Sequence, residues 1–385
     1  MTAGSDLLTC IEPILPLIDK AADQANAERR PDPAVFRNLA EAGLLRLLAP
    51  TDYGGHGAHP ADFLALMEAV ARVDGSTAWT MMTINEEVGI ASAYLPPASM
   101  AGLLTDRPDV IIAGAGAAAG QAVRRPGGWS ITGRWPFVSG STVADHLILN
   151  SWVDGGTDAR ARRQMCFALV PVAEAEILDT WHMAGLAGTA SNDVVLTEAF
   201  VPDERAGVVA LGEGPKPDTP FYNLPNGLRF PYPKVGVALG IASAALAEFR
   251  TLAETKTPGL SSRRLARRPY AQRAVAEAEM HIGAGRAWVL DQLGELWPIA
   301  EAGEPIPPAV HARVRLSCAG AVDGAGRAVA ALASAAGTTA SEHLGPWPRL
   351  LADVRAVGQH FMVAPYQMDT AGRVLLGQDP DDPMF

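Results

Sequence analysis

Apolar positions along the first hundred residues recur with a helical period. Val35, Leu39, Leu44, Leu45, Leu47 and Leu48 form one stripe, and Phe63, Leu64, Leu66, Met67, Val70 and Val73 form another at i, i+3, i+4 spacing. Asp52-Tyr53-Gly54-Gly55-His56-Gly57 between them has turn composition, and Pro96-Pro97 with Pro108 closes the helical region. The pattern then turns to short β-branched runs: Val110-Ile111-Ile112, Trp129-Ser130-Ile131-Thr132, Leu147-Ile148-Leu149, Phe167-Ala168-Leu169-Val170 and Val194-Val195-Leu196. Pro126-Gly127-Gly128 and Asp154-Gly155-Gly156 fall at hairpin positions among them. Past a Pro- and Gly-rich connector the helical period returns in four stretches, 239–242, 271–297, 310–336 and 350–376. The pattern predicts an α+β, mainly α fold. It divides into an N-terminal helical domain (1–108), a central antiparallel β-barrel or sandwich (109–210), a connector (211–233) and a C-terminal four-helix bundle (234–385).

Composition narrows the partners. Apolar residues make up 48% of the 385 positions and charged residues 19%, which suits a globular chain with apolar surface left for subunit contacts. A net charge of -11 opposes nucleic acid or an anionic membrane as partner. One basic cluster, Arg263-Arg264 with Arg267-Arg268, reads either as a solvated helix start or as a phosphate clamp for a cofactor tail or a CoA-like substrate. The three cysteines have no paired spacing, and the first residues lack a basic leader before an apolar core, so the expected location is cytoplasmic. The apolar run at 235–246 is too short and too rich in small residues to span a bilayer.

The candidate chemistry lies in two loops of the β region. Trp135-Pro136-Phe137-Val138-Ser139-Gly140 and the segment 181–193 offer aromatic groups to stack on or wall off a flat ring. Ser139, Thr189 and Ser191 offer hydroxyls, and Gly140 and Gly188 open backbone, to the heteroatoms of that ring. This set suits a flavin. The run from Gly114 to Gly120 follows a strand, but a hairpin follows it where a dinucleotide site needs a helix, so it reads as space above a bound ring. There is no Gly-x-Ser-x-Gly elbow, no His-Glu-x-x-His and no phosphate loop. His56 and His59 read as loop histidines, and no metal site is expected. His360 sits among apolar neighbours on a helix predicted over 353–366.

Asp52 to Gly57, Val73-Asp74-Gly75-Ser76-Thr77-Ala78-Trp79, Trp135 to Gly140, the 181–202 segment, Gly240-Ile241-Ala242 and Gly372-Arg373-Val374-Leu375-Leu376-Gly377 together resemble the acyl-CoA dehydrogenase superfamily, in the family's order and over nearly the whole chain. The resemblance implies its three-part fold and a homotetramer, with a homodimer the alternative. Many members carry a glutamate base where this chain reads Val357-Gly358-Gln359-His360-Phe361-Met362. The 349–360 segment is similar instead to the branch of two-component flavin monooxygenases. Those take reduced flavin, FMNH2 or FADH2, from a separate NAD(P)H:flavin reductase and form a C4a-hydroperoxide with O2.

On that resemblance the catalytic candidates are His360, Ser139, Asn85 and Glu87, and the cofactor-binding candidates are Trp135, Phe137, Ser139, Gly140, Gly188, Thr189 and Ser191. His360 is implied as donor or proton relay, and Ser139 as the partner of the flavin N5 hydrogen. Asn85 and Glu87 stand near where phenol-hydroxylating relatives carry a substrate-contacting histidine. Glu86 and Glu87 read first as an exposed helix turn, and a buried Glu87 would be an acid or base. The implied reaction is monooxygenation of a mostly apolar small molecule, aromatic compounds included. The alternative is an acyl-CoA dehydrogenase or oxidase with tightly bound FAD.

Overall fold

The computed structural model describes residues 3–154, 164–210, 213–214, 217–382 and 385. Six helices open the chain: α1 (Ala3–Ile11), α2 (Leu15–Glu28), α3 (Pro33–Glu41), α4 (Pro60–Ala71), α5 (Gly75–Tyr94) and α6 (Pro97–Asp106). Their starts follow local chemistry. Asp32 caps α3 by accepting from the amides of Ala34 and Val35, with Pro33 in the first turn, and His59 Nδ1 caps α4 at Ala61 N, 3.1 Å away. Asp74 caps α5 at Thr77 N, 2.7 Å. α5 is buried on nearly every face, so the doublet Glu86-Glu87 lies in the interior and is not the exposed turn the sequence suggests.

Among the described residues seven strands follow: β1 (Ile112–Arg125), β2 (Gly128–Val138), β3 (His146–Val153), β4 (Gln164–Pro171), β5 (Glu176–Leu178), β6 (Asn192–Pro202) and β7 (Ala206–Ala210). They form one sheet in the order β5-β6-β2-β1-β3-β4-β7. The expected wholly antiparallel domain needs correction, because β1 and β3 run parallel, with Ile112 opposite His146. The β1–β2 hairpin turns at Gly127 (φ 76°), as the Pro-Gly-Gly signal predicts. Of the second predicted turn, Gly155 and Gly156 lie outside the described residues. Both faces of the central strands are covered. Ile148, Phe167 and Leu169 join the helical core against α5, while Leu147, Leu149, Ala168 and Val170 join a second core around Trp135. This explains why those strands read as continuous apolar runs.

The chain then returns to helix in α7 (Pro220–Asn223), α8 (Asn226–Arg229), α9 (Pro231–Thr255), α10 (Pro269–Glu301), α11 (Pro308–Ala336), α12 (Trp347–Val357) and α13 (Tyr366–Leu375). α9, α10 and α11 pack against one another, and α12 and α13 both lie on α11. The single last helix expected over 350–376 is broken, since Gly358 and Pro365 bound a run of turns. His360 is therefore on a turn and not on a helix. Residues Asn226–Thr255 are apolar enough to cross a bilayer (hydropathy 1.4), yet 67% of that window is buried within the fold.

Candidate active site

The first turns of α5 receive three separate segments. A Cβ added at Gly188 would stand 3.1 Å from Ser76 Cβ, and one at Gly140 2.9 Å from Thr80 Cγ2, so both loops of the sheet rest on this helix. Gly140 has φ 77°, a left-handed conformation that glycine adopts without strain. The third segment is the turn carrying His360, whose ring meets Trp79 edge-on at 5.5 Å between centroids.

The two sheet loops bring their hydroxyls into one chain. Ser139 Oγ is 2.7 Å from Ser191 Oγ, and Ser191 Oγ is 2.7 Å from Thr189 Oγ1. Thr189 Oγ1 donates to Leu186 O at 2.9 Å, and Gly140 N donates to Thr189 O at 2.9 Å. The peptide of Leu186 is the hub: its carbonyl also accepts from Trp181 Nε1 at 3.0 Å, and its N–H donates to Asp353 Oδ1 at 2.6 Å. Asp353 lies on α12, seven residues before His360, so it ties the hydroxyl loop to the segment that leads into the histidine turn. Burial is the main reason its carboxyl is raised to about 7, with buried Asp74 nearby adding to the rise.

His360 is kept neutral. Burial pushes its pKa well below the ordinary value, and the charge of Lys234 adds to the effect. Its Nδ1 accepts from Met362 N at 3.3 Å, which leaves the proton of the neutral ring on Nε2 as a donor. Lys234 Nζ lies 5.9 Å from the Trp79 ring and is completely buried, held by both oxygens of Glu86 at 2.8 and 3.0 Å and by Phe230 O at 3.0 Å. Glu87, the next residue, is raised to about 8 by burial and then by the Glu86 charge. Its Oε2 is buried without a hydrogen-bond partner, facing Gly114 of β1.

Several expected site residues are placed elsewhere. Asn85 is fully buried and its amide is spent on the fold, accepting from Leu47 N at 2.7 Å and donating to Leu44 O and Met81 O, each at 2.9 Å. Trp135 is also fully buried, under the sheet, with Nε1 on Asn150 O at 2.6 Å, and has no face to offer a ligand. Alternation along β2 explains this: Trp135 points inward, and a bulge with φ 62° turns Phe137 outward to 65% exposure, edge-on to Trp181 at 6.1 Å. Of the 114–120 run, Gly114 and Gly120 leave no space above a ring, since Cβ atoms there would meet Ile148 O at 2.4 Å and Trp135 Cζ2 at 2.3 Å, whereas a Cβ at Gly116 would meet nothing within 4 Å. Arg263, Arg264 and Arg267 are exposed at the start of α10. Sequence reasoning did not single out Asp353, Lys234 or Trp79 as site residues; the Asp74 to Trp79 motif was the available signal for the last.

A hydroxyl chain, a neutral imidazole N–H and exposed aromatic edges offer hydrogen bonds and a flat contact surface at this place in the fold. The families described as "Acyl-CoA dehydrogenase, N-terminal domain" and "Acyl-CoA dehydrogenase, C-terminal domain" match residues 12–94 and 234–365. The chain is 31% identical over 339 residues to indole-3-acetate monooxygenase of Pseudomonas putida, covering 88% of this chain and 85% of the relative. The chain belongs to the acyl-CoA dehydrogenase superfamily. It is a flavin-dependent monooxygenase of that superfamily, the oxygenase component of a pair, supplied with flavin by a separate reductase and acting on a small molecule. The oxygenase is also 30% identical over 382 residues to the HsaA oxygenase subunit of Mycobacterium tuberculosis, covering 93% of this chain and 91% of that one. The crystal structure of that HsaA superposes with a TM-score of 0.85 at 25% identity over 100% of both chains. XiaF from Streptomyces sp., solved with FADH2 and glycerol, superposes with a TM-score of 0.86 at 24% identity over 99% of this chain and 98% of its own.

Proposed function

We propose that this oxygenase seats the N5 edge of reduced FMN or FAD on Ser139 and oxidises an aromatic or otherwise apolar small molecule between Trp79 and His360. The observation that carries the reading is the convergence of the Ser139-Gly140 loop, the Thr189–Ser191 loop and the His360 turn on one stretch of α5. Gly140 and Gly188 let the loops approach the helix, while Phe137 and Trp181 form an aromatic edge that shields the ring from water. When bound, reduced flavin supplies the electrons with which O2 is activated for transfer of one oxygen atom. His360, neutral with its proton on Nε2, donates that hydrogen bond toward the reacting oxygen and the substrate.

Glu87 enters this reading as a protonated, sealed acid, which leaves Glu86 to neutralise Lys234 beneath Trp79. An acyl-CoA dehydrogenase would need a carboxylate at the reacting carbon. Among the described residues, buried Glu87, Asp353 and Asp74 are turned to Gly114, Leu186 N and Thr77 N, and Glu86 and Glu68 are paired with Lys234 and Arg286. The reductase in this reading uses NAD(P)H, and the chain works in the cytoplasm as a homotetramer or homodimer. α12 and α13 together supply a broken fourth member of its helical bundle. Exposed Met280, Trp288 and Leu290 on α10 support an assembly face.

The test combines the protein with a flavin reductase, NADH, O2 and a panel of indole-3-acetate, phenols and acyl-CoAs. We expect a monooxygenated aromatic product. The His360→Ala variant should keep its flavin affinity and divert the reducing equivalents to hydrogen peroxide. Reductase-independent formation of an enoyl-CoA, or full coupling in His360→Ala, would overturn the reading.

A further inference from the structure

The hydroxyl chain beneath Ser139 has a direction. Leu186 O can only accept, so it takes the Thr189 Oγ1 proton at 2.9 Å. With that proton committed, the 2.7 Å contact between Thr189 and Ser191 requires Ser191 to donate. The Ser191 proton is then committed too, and the 2.7 Å contact with Ser139 requires Ser139 to donate. Ser139 Oγ is left with lone pairs alone for a ligand. The anchor of the chain is fixed from both sides, because Leu186 O is shared with Trp181 Nε1 at 3.0 Å and Leu186 N is held by Asp353 at 2.6 Å. Ser139, Thr189 and Ser191 are at most 5% exposed, so solvent does not compete for these protons.

We infer that Thr189 and Ser191 are positioning residues that fix Ser139 as a hydrogen-bond acceptor, so that the site selects reduced over oxidised flavin. The inference rests on the reading that the flavin N5 edge lies on Ser139. Reduced flavin carries a hydrogen on N5 and donates it, whereas the N5 of oxidised flavin is bare and accepts. Docking the reduced form leaves all three internal bonds in place and adds a fourth. Docking the oxidised form with a hydrogen bond from Ser139 reverses the protons along the chain, and Leu186 O then loses its bond from Thr189 Oγ1 while keeping those from Trp181 Nε1 and Thr189 N. One such hydrogen bond corresponds to about five- to tenfold in affinity.

The measurement is the dissociation constant of FMN and of FAD, each oxidised and dithionite-reduced, by anaerobic ultrafiltration. It is made on the wild type, Ser139→Ala, Thr189→Val, Thr189→Ser and Ser191→Ala. Thr189→Val keeps the shape and removes the first donor, freeing Ser191 and Ser139 to turn. The ratio of oxidised to reduced dissociation constants should fall about five- to tenfold, equivalent to a bound-flavin potential lower by ~20 to 30 mV. Ser191→Ala should lower the ratio similarly, and Thr189→Ser should restore it. A loop that is merely loosened weakens both forms equally and leaves the ratio unchanged, which overturns the relay. If Ser139→Ala lowers the ratio and Thr189→Val does not, docking on Ser139 stands and the directional chain is refuted. If Ser139→Ala alters neither constant, the docking is refuted and the inference falls with it.

Discussion

Replacing Glu87 by Gln isolates one buried proton. Burial first and the Glu86 charge second raise this carboxyl from an ordinary 4.5 to about 8, against the opposing charge of Lys234. The folded protein therefore keeps a proton that the unfolded chain gives up above the ordinary value. With more protons on the folded state, stability falls as pH rises between about 4.5 and 8, and is unaffected by Glu87 below that window. Each pH unit inside the window is worth about 1.4 kcal/mol, so between pH 5 and pH 7 the wild type loses about 2.7 kcal/mol that the Gln variant does not. For a chain of 385 residues, with an unfolding entropy of about 0.8 kcal/mol/K, this is ~3 °C in melting temperature.

The assay compares thermal melts of wild type and Glu87→Gln by circular dichroism at matched scan rates from pH 5 to pH 8. The variant should gain on the wild type progressively as pH rises. Other buried carboxyls, Asp74 and Asp353 among them, titrate in both proteins and cancel in the difference. A melting difference that stays flat across this range would mean that Glu87 is ionised and solvated, and would remove the sealed neutral acid from the α5–β1 seam.

Two further substitutions test where the structure puts residues the sequence had aimed at the ligand. Asn85→Ala strands the buried Leu47 N–H and Leu44 carbonyl, at about 1 to 3 kcal/mol each, so the melting temperature should drop while flavin affinity holds. Lost turnover at an unchanged melting temperature would return Asn85 to the substrate. Gly120→Ala drives a methyl into Trp135, whose indole then leaves Asn150 O, at a cost of about 2 to 4 kcal/mol and with a shift in tryptophan fluorescence. A variant as stable as wild type would show that the glycine is not required by the indole.

Periodicity made the helical and strand segments legible, because apolar spacing reports which face is buried. It could not report pairing partners. Nothing in Val110-Ile111-Ile112 or Leu147-Ile148-Leu149 says that β1 and β3 run parallel, since a strand buried on both faces loses the alternation that fixes its register. The break between α12 and α13 was hidden in the same way, as the helical stripe continues in phase across Gly358 and Pro365.

The candidate loops were legible in short-range composition, whereas the surroundings that a third element imposes were not. Ser139, Thr189 and Ser191 sit in recognisable loops, and the structure joins their hydroxyls. By contrast, an acidic doublet on a helix is solvated unless something covers it, and α5 is covered by α4, α9 and the sheet at once. Burial then gives the same residue type opposite tasks. Burial raises both carboxyls, but Glu86 has Lys234 at 2.8 Å to pair with, which opposes the rise, while Glu87, one residue on, has no cation of its own and is raised to about 8. Asn85 shows the same rule for a neutral amide, which becomes a staple because the bend at residues 44–47 supplies both a donor and an acceptor. Only a position with spare hydrogen-bonding capacity can serve a ligand. By that criterion Asn85 and Trp135 are excluded, while Ser139 Oγ and His360 Nε2 keep capacity that a ligand could use.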